Sequence, residues 1–180
     1  MTRFEAVSWG LLAAGAVFLA SMNVALQSKN SDDLTSDLEP GDHVPELLLA
    51  LADGGEVRIP FPESEASETL LIMFSTSCWP CVRALPVYRE MASTKCDLGI
   101  GLVILDLSHD ELADWWQARR EDWGKACAPI AVGRPAHSLG AYSVRLVPTH
   151  YLIDSGGTVL RKMVGAHPED LQDLRRDWTP

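Results

Sequence analysis

Hydrophobic and polar positions fall along this chain in blocks, and the spacing changes from one block to the next. The first block, residues 6–26, reads AVSWGLLAAGAVFLASMNVAL and contains no ionisable side chain. Roughly 20 apolar residues span a bilayer core of about 30 Å, so this block predicts a single membrane-crossing helix. A cleaved signal peptide would need small residues at fixed spacing near its end; Phe18 and Asn23 occupy those sites. Arg3 precedes the block and favours a cytoplasmic N-terminus. Residues 27–43 are polar and end near Pro40-Gly41, which predicts a flexible linker. Residues 44–180 then carry the patterning of one folded domain.

Within that domain, residues 46–51 and 56–60 flank Asp53-Gly54-Gly55 and predict a β-hairpin. The runs at 69–74 (TLLIMF) and 100–105 (IGLVIL) are continuously apolar, as in strands buried on both faces of a central sheet. A helix is predicted over 79–91, with Pro86 inside it. A second is predicted over 110–123, with Leu112, Trp115, Trp116 and Arg119 near one face, and a short one over 136–142. Residues 149–153 and 158–164 flank Asp154-Ser155-Gly156-Gly157 and predict a second hairpin. Pro168 opens a closing helix at 169–178. This order of elements is α/β.

Composition narrows the class. Apolar residues make up 47% and charged residues 22% of 180 positions, ordinary for a domain with a packed core. The formal net charge is −10, which argues against nucleic-acid binding and leaves a basic protein partner open. Four cysteines are too few for a disulfide-stapled fold of this length.

Two of the four, Cys78 and Cys81, are spaced C-x-x-C at the junction between the 69–74 strand and the following helix. Unpaired N–H groups and the helix dipole at that junction favour an anion. The first sulfur is therefore expected to ionise below the usual pKa of about 8.5. Cys78 then serves as the exposed nucleophile, and Cys81, one helical turn on, as the buried resolving thiol. Pro80 stiffens the turn at no cost in helix hydrogen bonds. Trp79 at the tip is read as a partner-contacting surface. A structural zinc site would need two more ligands at regular spacing, and the five histidines are scattered, so no metal is assigned. A purely structural bond across so short a loop would contribute little. Cys96 and Cys127 are left open between a second disulfide and two buried small hydrophobic residues. His150 is expected to point away from the sulfurs, and Trp115, Trp116 and Trp123 to serve packing.

The stretch LLIMFSTSCWPCVRALP resembles the active-site segment of thioredoxin-fold proteins of the TlpA/ResA type, which are membrane-anchored extracytoplasmic thiol–disulfide oxidoreductases. Pro86 falls eight residues after Cys78, where thioredoxins kink the active-site helix. The stretch CAPIAVGRPAHSLGAYSVRLVPTHYLID resembles the family's run from an inserted strand and helix to the cis-proline loop, and VGAHPEDL its later glycine loop. The resemblance covers roughly residues 44–178. It implies a thioredoxin-like fold: a central mixed β-sheet flanked by helices, preceded by an N-terminal β-hairpin and a transmembrane helix. It makes Pro148 the cis-proline and Val147 the residue whose backbone meets an extended partner, and it places Gly165 in the partner groove. It implies no cofactor beyond the Cys78–Cys81 disulfide. The implied partners are a disulfide-bearing exported protein and a membrane dithiol donor, with the domain on the periplasmic side of the inner membrane. Apocytochromes and metal-centre assembly proteins are substrates of such relatives.

The chain also departs from its relatives. Ala84 stands where some carry an acid, Ile72 where thioredoxin buries an aspartate, and Trp79 where small or polar residues are common. Reduction of disulfides in exported proteins, with electrons from the membrane dithiol donor, is the leading reading. Disulfide formation or isomerisation, as by the accessory proteins of methylamine dehydrogenase maturation, is the near alternative. A thiol peroxidase using Thr76 and Cys78, or a non-catalytic metal chaperone, are the others.

Overall fold

In a computed structural model of the chain, the described residues are 38–142, 144–167, 169 and 171–173. The expected anchor at 1–26, the linker up to residue 37 and most of the closing helix lie outside them. Among the described residues no helix is long and apolar enough to cross a membrane.

Seven strands form one mixed sheet: β1 (Leu47–Leu51), β2 (Glu56–Ile59), β3 (Glu68–Phe74), β4 (Leu98–Ile104), β5 (Ile130–Pro135), β6 (Thr149–Asp154) and β7 (Val159–Val164), in the order β2-β1-β5-β4-β3-β6-β7. β3, β4 and β5 run parallel. β1–β2, β1–β5, β3–β6 and β6–β7 pair antiparallel. The two continuously apolar runs become neighbouring central strands, and nearly every residue in them is buried. They have no solvent face, which is why they show no alternation.

Helix α1 (Trp79–Thr94) lies on one face of the sheet. Its buried stripe of Cys81, Ala84, Leu85, Tyr88, Met91 and Ala92 follows the 3.6-residue period and packs on Leu70, Ile72, Phe74, Ile100 and Leu102. On the other face Leu49, Ile59, Phe61, Leu71, Met73, Tyr142 and Tyr151 form a second cluster. Gly99 is required where this cluster reaches β4, because a Cβ there would sit 2.2 Å from the Phe61 ring.

Three expectations need correction. The helix expected over 110–123 ends early: α2 spans His109–Gln117, and a 3₁₀ turn covers Arg120–Trp123. Ser108 and Glu111 form a reciprocal capping box that fixes the start of α2. Seven residues of continuous helix would separate Trp116 from Trp123 by about 10 Å. The break lets their rings meet at 6.1 Å, with Trp123 buried. The helix expected over 136–142 shrinks to a 3₁₀ turn at Gly140–Tyr142, because Gly140 has φ +52°, outside right-handed helix space. Finally, residues 38–43 are part of the fold, not linker. Leu38 is buried, the backbones of Gly41 and Asp42 bond Val159, and Glu39 pairs with Lys162 at 2.9 Å.

β5 carries no clear apolar pattern of its own. Gly133 and Pro135 look like breakers, yet a Cβ at residue 133 would lie 2.6 Å from the Ala50 carbonyl oxygen. The glycine is there because β1 approaches closely, not because the strand stops.

Candidate active site

The C-terminal end of β3 delivers the chain through Ser75-Thr76-Ser77 into Cys78, the N-cap of α1. Cys78 has extended backbone angles (φ −82°, ψ 105°), and its Sγ accepts the N–H of Cys81 at 3.3 Å. The sulfur thus takes the place that a serine or aspartate oxygen takes in ordinary capping. Pro80 in the first turn contributes no N–H, so the Cys81 amide is the donor directed at this sulfur. Cys78 and Cys81 are bonded, with their Cα atoms 5.2 Å apart. Cys78 is partly exposed, whereas Cys81 is fully buried on the sheet-facing side of α1. An incoming nucleophile or disulfide therefore meets Cys78 first. Pro86 lies inside α1, one turn further along.

The loop in front of Cys78 is held from the neighbouring strand. Asp106, just past the end of β4, accepts the backbone N–H of Thr76 at 2.8 Å and of Ser77 at 3.0 Å, and the hydroxyls of Ser75 at 2.8 Å and Thr76 at 3.0 Å. Partial burial works against its charge. The four donors outweigh that burial and hold its pKa down to about 2. No local motif marks Asp106. A polar residue ending a parallel strand points toward the site end of an α/β sheet, and that signal was available.

Opposite the sulfurs, the Val147-Pro148 peptide bond is cis. Its loop is braced by Thr149 Oγ1, which donates to the Leu146 carbonyl at 2.7 Å, and by Gly165 N–H, which donates to the Pro148 carbonyl at 2.7 Å. The Val147 carbonyl oxygen lies 3.5 Å from Cys78 Sγ. Trp79, Pro80, Val147, Pro148 and Gly165 border one groove of about 500 Å³. Six further residues line that groove, Arg83, Val87, Ala166, His167, Leu171 and Gln172, and no local pattern marks them. Trp79 is 65% exposed, and so is Leu146, the residue before Val147 in the chain.

The remaining candidates lie elsewhere. Cys96 and Cys127 are bonded to each other, with Cα atoms 4.8 Å apart. Both are solvent-exposed, so they are not buried hydrophobes. They sit past the C-terminal end of α1, and 16 residues of helix put about 24 Å between them and the Cys78–Cys81 end. His150 is the cross-strand partner of Ile72 and is buried. Its Nδ1 faces the Met163 carbonyl at 3.3 Å and its Nε2 the Tyr88 hydroxyl at 2.6 Å. A carbonyl only accepts, so Nδ1 carries the proton and neutral Nε2 accepts from Tyr88. Burial pushes the His150 pKa down to about 4, against a smaller upward pull from the Met163 carbonyl. Burial likewise pushes the Tyr88 hydroxyl upward. Neither sulfur is among the hydrogen-bond partners of this pair. Among the described residues no group of three or more His, Cys, Asp or Glu is placed to hold a metal ion.

No family model matches the chain. Its curated relatives include a thiol–disulfide oxidoreductase ResA of Bacillus cereus, 24% identical over 144 residues, which cover 79% of this chain and 80% of the relative. ResA of Geobacillus kaustophilus is 26% identical over 160 residues, 89% of this chain and 87% of the relative. Among solved structures, StoA from Bacillus subtilis superposes with a TM-score of 0.55 at 20% identity, over 74% of this chain and 99% of that one. The mixed sheet, the helix-capping sulfur and the cis-proline loop agree with that fold. The chain is a thioredoxin-fold thiol–disulfide oxidoreductase similar to ResA, with Cys78 and Cys81 as its C-x-x-C pair.

Proposed function

We propose that the protein is a reductase, anchored by residues 6–26 to the membrane with its domain on the extracytoplasmic side, which reduces disulfides in exported proteins. The observation that carries the reading is the unequal exposure of a bonded pair at a helix mouth: Cys78 partly open beside the cis-proline loop, Cys81 closed off between α1 and the sheet.

In the reduced protein the Cys78 thiolate attacks one sulfur of the partner disulfide. A Cys78–partner bond forms, the partner S–S bond breaks, and the partner's other sulfur leaves as a thiolate that takes a proton from water. Cys81 then loses its proton and attacks Cys78 Sγ. The Cys78–Cys81 bond forms and the partner's second thiolate leaves. Two electrons and two protons pass to the partner, and a membrane dithiol returns the oxidised protein to its starting state. Trp79, Pro80 and the Val147 backbone face the partner segment in the groove. Its extended main chain can pair with the cis-proline loop as a short added strand.

The hydroxyl of Thr76 donates to Asp106. A peroxidase would need that hydroxyl, with a cation, directed at peroxide. Its commitment to a carboxylate supports exchange over peroxide chemistry.

Direction is tested by the Cys78–Cys81 reduction potential. A reductase predicts a value near that of thioredoxin, about −270 mV, or below it. A value near about −120 mV, that of a strong oxidant, would overturn the reading. Expressing Cys81→Ser in the native host and identifying proteins bonded to Cys78 names the substrates; trapping only cytoplasmic proteins would contradict the assigned location.

A further inference from the structure

The chain carries 25 acidic residues and a net charge of −10, yet no aspartate or glutamate is among the described residues that line the groove beside Cys78. The acids gather elsewhere: Glu46, Glu56, Glu63 and Glu65 line a second cleft formed by the β1–β2 hairpin and the β6–β7 turn. The groove has an apolar floor, including Val87, Val147 and Leu171, and one permanent cation, Arg83. The Arg83 guanidinium lies 4.4 Å from the centre of the Trp79 ring. Stacking on the indole holds the charge at the groove's mouth. Arg83 makes no ion pair among the described residues.

We propose that the groove selects partner segments in which an acidic side chain and an apolar one flank the disulfide cysteine, with Arg83 as the specificity-determining residue. The inference rests on the oxidoreductase reading of the same groove. The apolar side chain settles on the floor beside Val87 and Leu171, while the carboxylate meets Arg83. This local preference is opposite to the one set by the whole chain. A net charge of −10 attracts basic proteins at a distance, but beyond a Debye length of about 8 Å in physiological salt that attraction is screened. Inside the groove the nearest charge decides. A guanidinium with a free edge, stacked on an aromatic ring, can still pair with a carboxylate in the fork geometry that suits it.

The test uses the reduced full chain and three peptides, alike except for the residue after a central Leu-Cys: Glu, Gln or Lys. Each cysteine is supplied as a mixed disulfide with 2-nitro-5-thiobenzoate. The Cys78 thiolate attacks the peptide sulfur and releases the coloured thiolate. Cys81 then displaces the peptide thiol and leaves the protein oxidised by two electrons. The inference predicts a second-order rate constant for release of the coloured thiolate that falls in the order Glu, Gln, Lys, by about three- to fivefold between the extremes, as one partly exposed ion pair allows. Arg83→Glu should invert the order and Arg83→Lys should keep it. Equal rates for the Glu and Lys peptides, or an order that survives Arg83→Glu, would overturn the inference. Failure of all three peptides to react would overturn the oxidoreductase reading, and the inference with it.

Discussion

Asp106 accepts the backbone N–H of Ser77, the residue immediately before Cys78, at 3.0 Å. Its carboxylate also holds Ser75 and Thr76, so the whole approach to the nucleophile is tied to the end of β4. The same anion is bonded to the residue next to Cys78, whose sulfur must ionise.

Asp106→Asn removes that charge while keeping an acceptor. The Cys78 thiol of the reduced variant is then expected to ionise more readily, with its pKa lowered by about half a unit to one unit. Alkylation rate against pH measures this. An unchanged or raised pKa would mean that Asp106 acts on the loop alone.

His150 gives the fold an acid limit. Its pKa is about 4 when folded, against 6.5 for an unperturbed histidine. Between these values the unfolded chain binds a proton that the folded chain does not. Stability therefore falls as the pH is lowered through this window, by about 3 kcal/mol in total from this group. Above about pH 6.5 the contribution is flat. Urea unfolding at about pH 7 and about pH 4.5 reads the slope, and His150→Gln should remove this part of it. An identical slope in the variant would place the effect elsewhere.

The Cys96–Cys127 bond closes a loop with a sequence separation of 31 residues at the far end of α1. The double variant Cys96→Ser, Cys127→Ser should lose about 3 to 4 kcal/mol of unfolding free energy and retain disulfide exchange at Cys78. The fold should persist, because Cys127 N–H and Ala128 N–H also bond the Ala92 carbonyl. Loss of exchange in a folded double variant would show that this second bond serves the chemistry as well.

Gly99→Ala should destabilise the domain by about 1 to 3 kcal/mol, since the new Cβ meets the Phe61 ring at 2.2 Å. Pairing it with Phe61→Leu should recover part of the loss. Thermal unfolding of the two variants and their combination decides this, and strict additivity would refute the contact.

How much of this was legible in the sequence depends on the range of each signal. The runs at 69–74 and 100–105 announce themselves, because a strand buried on both faces must be apolar almost throughout. Cys78, Pro80 and Cys81 carry their chemistry in their spacing. Pro148 needed the resemblance, since nothing local separates a cis-proline from a trans one. Where side chains act across the fold, local patterns fail. Gly133 and Pro135 look like strand breakers until β1 is beside them. Asp106 lies 28 positions from Cys78 in sequence and meets the loop before it only because β3 and β4 are parallel neighbours. The charge of Arg83 becomes informative only when the groove around it is seen to lack carboxylates.

The central claim is that the two sulfurs are unequal. The direct measurement is alkylation of the fully reduced chain across about pH 4 to 10, with mass mapping of each cysteine. The account predicts that Cys78 is modified first, with a midpoint well below about 8.5, while Cys81 stays protected until the chain unfolds. Equal labelling of both, or a Cys78 midpoint at the value of free cysteine, would contradict it.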